Sequence, residues 1–251
     1  MYYLRILVLW GGLISFAYAT PPVDPLKSVQ WETMYSLFLQ KHPVQFDKTI
    51  QVFSPQDAED SLQVPVIIDA RSLVDKGVEE ILVFADFNPL PKILSFYPKK
   101  SQPFIAFRVK IQQATPIRAA VRTKEGWHVN GVWVDAAGGG CTLPSLSQAN
   151  ASWEDHLNEV SAGIWKRETE QRLRFQIIHP MDTGLATGIP VFHLEQIQLW
   201  GKENTLLAEI HPQEPVSENP IFTLNIPLSS TQLALTGIDN NGNDFAVELK
   251  P

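Results

Sequence analysis

One cysteine, Cys141, stands in 251 residues. A single thiol excludes an internal disulfide framework, a C-x-x-C pair and any zinc site built on two or more cysteines. Basic charge is also short: Lys and Arg number 20 against 27 Asp and Glu, for a net charge of −7. No cationic surplus exists to neutralise a phosphate backbone, which argues against nucleic-acid binding. The chain has no G-x-x-x-x-G-K-[ST], no G-x-G-x-x-G and no G-x-S-x-G, so phosphate-loop, dinucleotide and hydrolase-elbow chemistry lack their usual scaffolds. Past the first 20 residues no apolar run approaches the ~18 residues of a membrane span. The six histidines are scattered, and none pairs at the H-x-x-x-H spacing of a helical metal site. No cofactor is implied.

What is present begins with a targeting pattern. Arg5 precedes an apolar run from Ile6 to Phe16, and Ala17-Tyr18-Ala19 closes it with small residues at the two positions a signal peptidase reads. Pro21-Pro22 would end any continuing helix. Residues 1–19 are therefore expected to be a signal peptide cleaved near Ala19, giving an exported, periplasmic protein without a membrane anchor.

Met34, Leu37 and Phe38 sit at helical spacing, predicting a short amphipathic helix over Trp31–Gln40. The pattern then turns to short strands: Val64–Ala70, Ile81–Phe87, Ile93–Tyr97, Phe104–Val109, Ile117–Arg122 and Trp127–Val134. A second set follows from Gln171. It includes Leu173/Phe175/Ile177, Phe192/Leu194 then Ile197/Leu199 with a phase slip that implies a bulge, Leu206/Ala208/Ile210 and Phe222/Leu224/Ile226/Leu228. A last hairpin is expected about Asn241-Gly242. Between the sets, Trp153, Leu157, Val160 and Ile164 fall at i, i+4, i+7 and i+11, which predicts a docking helix. The expected fold is mainly β: two β-sandwich domains, residues 20–137 and 169–251, joined by a Gly-Cys arm and linker helix over 138–168.

Gly138-Gly139-Gly140 precedes Cys141. Three glycines remove every Cβ constraint and suit a flexible arm, on which three to four extended residues reach roughly 10–14 Å. An odd cysteine in an exported protein points to intermolecular pairing or to a thiol kept for reaction. The neighbouring sequence offers no Lys or Arg to lower the thiol's pKa, so activation by a partner enzyme is expected rather than autonomous catalysis. A cysteine-protease reading would need His128 or His179 near the thiol in space, and a mobile arm would not hold attack geometry. A blue-copper site needs a His₂Cys set that the spacing does not supply. Asp239–Asp244 resembles a calcium loop but lacks Gly at the sixth position and Glu at the twelfth, so it reads as the hairpin turn.

Ala136-Ala137-Gly138-Gly139-Gly140-Cys141 resembles the carrier arm of SoxY, which bears sulfur intermediates on a Gly-flanked cysteine during periplasmic thiosulfate oxidation. His179-Pro180-Met181-Asp182-Thr183-Gly184 resembles the His-Pro-Met-Glu-Thr-Gly signature of SoxZ, and Ile189-Pro190, Glu218–Phe222 and Asp239–Gly242 follow in SoxZ-like order. The whole is similar to the fused SoxYZ-like carriers associated with quinoprotein dehydrogenases. The resemblance implies two immunoglobulin-like sandwiches and cargo attachment at Cys141. It also implies periplasmic partners among sulfur-compound oxidoreductases, c-type cytochromes or a quinoprotein dehydrogenase. Unlike the C-terminal SoxY arm, this one continues through Thr142-Leu143-Pro144 into the second half, so it is tethered at both ends. The other function class is a non-covalent docking module for an exported quinoprotein dehydrogenase or its cytochrome, with Cys141 incidental.

Overall fold

The computed structural model describes residues 20–145 and 151–249; residues 1–19, expected from the sequence to be a signal peptide, lie outside them. The first half supplies β1 (Val44–Phe46), β2 (Gln51–Phe53), β3 (Asp57–Ala58), β4 (Val64–Asp69), β5 (Glu80–Ala85), β6 (Lys92–Tyr97), β7 (Phe104–Val109), β8 (Thr115–Thr123) and β9 (Gly126–Ala136). The second supplies β10 (Val160–Lys166), β11 (Glu170–Ile177), β12 (Asp182–Thr183), β13 (Val191–Phe192), β14 (Leu194–Gly201), β15 (Thr205–Pro212), β16 (Ile221–Pro227), β17 (Ala234–Asp239) and β18 (Asp244–Glu248). No helix among the described residues is long and apolar enough to cross a membrane.

The expected mainly β class holds, and the two halves share their sheets. The larger sheet runs β1-β9-β8-β5-β6-β15-β14-β17-β18, with β3 on β9, and the smaller runs β10-β11-β16-β7-β4-β2. The junctions are antiparallel pairs, Phe96 opposite Ile210 between β6 and β15, and Ile105 opposite Leu224 between β7 and β16. Each junction closes what would otherwise be an open sheet edge, a liability in a separate domain. The core is correspondingly continuous: Val66, Ile81, Phe107 and Val121 of the first half belong to one apolar cluster with Phe175, Leu199, Phe222 and Leu235 of the second.

The strand alternation places this core. Val64, Val66 and Ile68 point inward from β4, and Leu173, Phe175 and Ile177 from β11. The register shift at Leu194/Gln196 is the bulge that the phase slip implied, and a second shift, at Leu199/Trp200, lies beyond it. The opening helix is present as Trp31–Met34 continuing into a π-helical turn, Tyr35–Leu39. It buries Trp31, Met34, Tyr35 and Leu39 against Leu82, Phe84, Ala120, Trp127 and Val129 on the outer face of the large sheet. Leu37, expected on the buried face, is exposed, because the wider turn shifts the inward stripe to Tyr35 and Leu39.

The predicted linker helix is corrected. Ala151–His156 forms only a 3₁₀ turn, Asn158 takes φ +64°, and Val160–Lys166 extends as β10 against β11. Val160 and Ile164 lie on one face under period 2 as well as under period 3.6.

Arg118 fixes the chain's entry into the fold. Fully buried on β8, it donates to both oxygens of Asp24 at 2.8 Å and to Asp86 at 2.9 Å, and its guanidinium lies 4.7 Å from the centre of a Trp31 ring. A buried charge persists only when neutralised and hydrogen-bonded, and these two carboxylates meet that condition.

Candidate functional site

The arm leaves β9 and docks at once. Gly138 and Gly139 take φ +98° and +86°, left-handed conformations open to glycine and strained for other residues. Gly140 is glycine for a different reason: a Cβ there would lie 2.4 Å from the Ser61 carbonyl oxygen and 2.6 Å from that of Ile111. The three glycines were expected to free the arm. In the structure they let it turn and press against the strip Lys110–Gln112, which continues from β7.

Hydrogen bonds hold it there. Gly139 N donates to Gln112 O at 3.0 Å, Gly140 N to Ile111 O at 3.1 Å, and Cys141 N to Gln112 Oε1 at 3.1 Å. Ser61 Oγ donates to Gly138 O at 3.0 Å. The strip is itself fixed by the buried Asn88, whose Nδ2 donates to Lys110 O and whose Oδ1 accepts from Gln112 N.

The second half closes the other side through the His179–Gly184 segment. Thr183 Oγ1 donates to the Cys141 carbonyl at 2.6 Å, and Asp182 Oδ1 accepts from Ser145 N at 3.1 Å. Met181, at φ +53°, turns its carbonyl to the ammonium of Lys110, which also donates to Glu214 O at 3.2 Å. Lys110 thus joins the halves at the base of the arm. The sequence reading of a thiol without a basic neighbour is corrected accordingly, because Lys110 arrives through space.

Cys141 is fully buried, with Sγ 3.5 Å from the Lys110 carbonyl, in position to donate its proton. Burial pushes the thiol up to about 11, with the Lys110 charge pulling only partly against it. At neutral pH the docked group is therefore held as the neutral thiol. Burial likewise brings Lys110 down to about 8, opposed by the attraction of the carboxylates of Asp182, Glu218 and Glu214; at pH 7 it still carries its charge.

Neither histidine considered as a base for Cys141 bonds to it. His179 is buried, its Nδ1 accepts from Met181 N at 3.1 Å and its Nε2 lies 3.6 Å from Asp239 Oδ2. Its role is to shape the turn that presents Met181 and Thr183. His128 is bonded to Asp47 and Gln45. Among the described residues no cluster of three or more His, Cys, Asp or Glu is placed to hold a metal.

Lys110, Gln112, Asn88 and Ser61 were not singled out in the sequence. The one available signal was Lys110 itself, a charge set between Val109 and Ile111 where an apolar strand runs out. The structure brings together the glycine arm and the His-Pro-Met segment, with Cys141 and His179 lying 38 positions apart in the chain.

The fold and this site define a two-layer β protein whose lone cysteine is presented on a glycine-flanked strap. Residues 35–141 match the family of the sulfur oxidation protein SoxY, and the match ends on Cys141. That stretch, less than half of the chain, is similar to the SoxY family, and the likeness supports a role as a carrier of sulfur compounds. Among solved structures, the sulfur carrier protein SoxY from Chlorobium limicola f thiosulfatophilum is 20% identical, over 42% of this chain and 90% of its own, with a TM-score of 0.36. The BSP domain of a biofilm associated protein is 9% identical over 79% of this chain and 29% of its own, with a TM-score of 0.25. No curated protein matches.

Proposed function

We propose that the protein is a periplasmic covalent carrier in which Cys141 holds a sulfur-containing group while partner oxidoreductases act on it. The observation that supports this most is the end of the SoxY-family match on the one cysteine of the chain, at the tip of a strap built from three glycines. Joining the thiol to a sulfur compound through an S–S bond releases the thiol proton and two electrons. An electron acceptor such as a c-type cytochrome partner must therefore take part in loading, and a second enzyme in removing the cargo.

The docked arm is the resting form of this cycle. A buried thiol at about 11 neither oxidises nor alkylates readily at neutral pH, so the site protects itself between loads. Loading requires the strap to lift from Gln112 and Thr183. About four hydrogen bonds at about 1 kcal/mol each put the cost at a few kcal/mol, within reach of a docking partner. The His179–Gly184 segment serves as the latch, and the second half serves as the platform that carries it.

The burial of Cys141 also suits a cysteine used only for packing, the docking-module reading with the thiol incidental. One experiment separates the two. Wild type and Cys141→Ser are recovered from the periplasm of cells fed a ³⁵S-labelled sulfur compound, without reductant. The carrier reading expects label on wild type that dithiothreitol releases and none on Cys141→Ser; equal label on both, or none on either, favours the docking module.

A further inference from the structure

The two sheets differ in how their outer faces are covered. The opening helix packs on the large sheet, whereas the outer face of the small sheet carries a straight ladder of paired residues. Gly163 stands opposite Arg174, Arg174 opposite Thr223, Thr223 opposite Ala106, Ala106 opposite Ile67 and Ile67 opposite Phe53. Six strands at ~4.8 Å spacing make this face roughly 24 Å wide, the scale of a protein interface. Trp165, opposite Arg172 in the adjoining row, is 53% exposed, and so is Phe53 at the far edge. The Trp165 ring folds back over Gly163, where a Cβ would lie 2.6 Å from its Cη2. Beside it runs a shallow groove of about 380 Å³ lined by Ser161, Trp165, Arg174, Gln176 and Ile221.

The charge of this face opposes that of the chain. Arg71, Arg108, Arg172 and Arg174 lie on it with two carboxylates, Asp69 and Glu170, in a protein whose net charge is −7. Arg71 takes both carboxylates, at 2.6 and 3.8 Å. Arg71 and Arg172 flank the Phe104 ring at 5.6 and 5.4 Å. Arg108 and Arg174 are exposed and have no ion-pair partner among the described residues. Arginine and tryptophan are the residue types that dominate protein-interface energetics.

We propose that this face docks an acidic protein partner, whose carboxylates meet Arg108 and Arg174 and whose apolar side chain enters the groove beside Trp165. A second copy of this chain fits less well, because a two-fold contact through this face sets its arginines against one another. The surface lies on a sheet face and does not depend on the carrier reading of Cys141.

The test places the photo-crosslinker p-benzoylphenylalanine at position 165 of the full chain, in cells that export it, and identifies the product of irradiation by peptide mass spectrometry. The expected product is a single acidic protein joined through a peptide rich in Asp or Glu. Its yield falls about ten-fold with Arg108→Glu/Arg174→Glu and less with Arg108→Gln/Arg174→Gln, while Cys141→Ser leaves it unchanged. Melting curves confirm that these exposed replacements leave the fold intact. No product at 165, a product with a second copy of the chain, or a yield indifferent to charge reversal overturns the proposal. A product that persists in Cys141→Ser, with no sulfur ever found on Cys141, would separate this surface from the carrier function.

Discussion

The Thr183 hydroxyl donates to the Cys141 carbonyl at 2.6 Å, so the His-Pro-Met-Asp-Thr-Gly segment of the second half holds the cysteine of the first. The same hydroxyl accepts from Leu185 N at 3.2 Å, which fixes its direction. A motif legible only as a signature thereby acquires a mechanical role. It latches the strap that presents the thiol, and it does so from within one chain.

Thr183→Val keeps the side-chain volume and removes both bonds. We expect Cys141 to react with iodoacetamide about 5–10-fold faster at pH 7.5, the equivalent of about 1 kcal/mol in the docked state. The melting temperature should fall by only a few degrees. An unchanged labelling rate would show that the latch lies elsewhere.

Gly140→Ala inserts a Cβ between the Ser61 and Ile111 carbonyls, both backbone atoms with little room to give. The strap should then fail to seat, and thiol labelling should rise at least ten-fold. An arm that already pointed freely into solvent would tolerate the change with no effect on labelling.

Lys110→Met removes the ammonium that bridges to Met181 O and Glu214 O and leaves two buried carbonyls without that donor. A loss of about 2–4 kcal/mol in urea unfolding is expected, together with faster Cys141 labelling. The second effect is the informative one, because a purely structural lysine far from the strap would change stability alone.

His179 makes stability depend on pH. Burial pushes its imidazole down to about 4, against the attraction of Asp239. Between that value and the unfolded value near 6.5 the unfolded chain binds the extra proton, so stability is lost as pH falls through this window. Asp24, Asp47 and Asp69 are held below the usual carboxylate range and enter only at lower pH. The urea midpoint of wild type should drop between pH 7 and pH 5, and that of His179→Asn should drop much less.

Much of the fold was legible because strand alternation is local. Phe104–Val109 has the same limits in sequence and structure, the slip between Leu194 and Ile197 marks a real bulge, and Asn241-Gly242 turns the last hairpin. The β10 segment was not legible, since Val160 and Ile164 satisfy both periods and only pairing with β11 decides between them. Nor was the union of the halves, because the β6–β15 and β7–β16 pairs join residues about 110–120 positions apart. At the site, the cysteine and its glycines were visible and their environment was not. Glycine permits freedom and close approach alike, and the Ser61 and Ile111 carbonyls select the second. Lys110 reaches Met181 across 71 positions, a contact that no local pattern encodes.

The central claim is that Cys141 carries cargo, and the intact mass of the protein recovered from its native cells without reductant tests it most directly. The account predicts a fraction with a reducible, sulfur-containing mass increment that maps to Cys141. A uniformly unmodified Cys141, in cells actively oxidising reduced sulfur compounds, would contradict it.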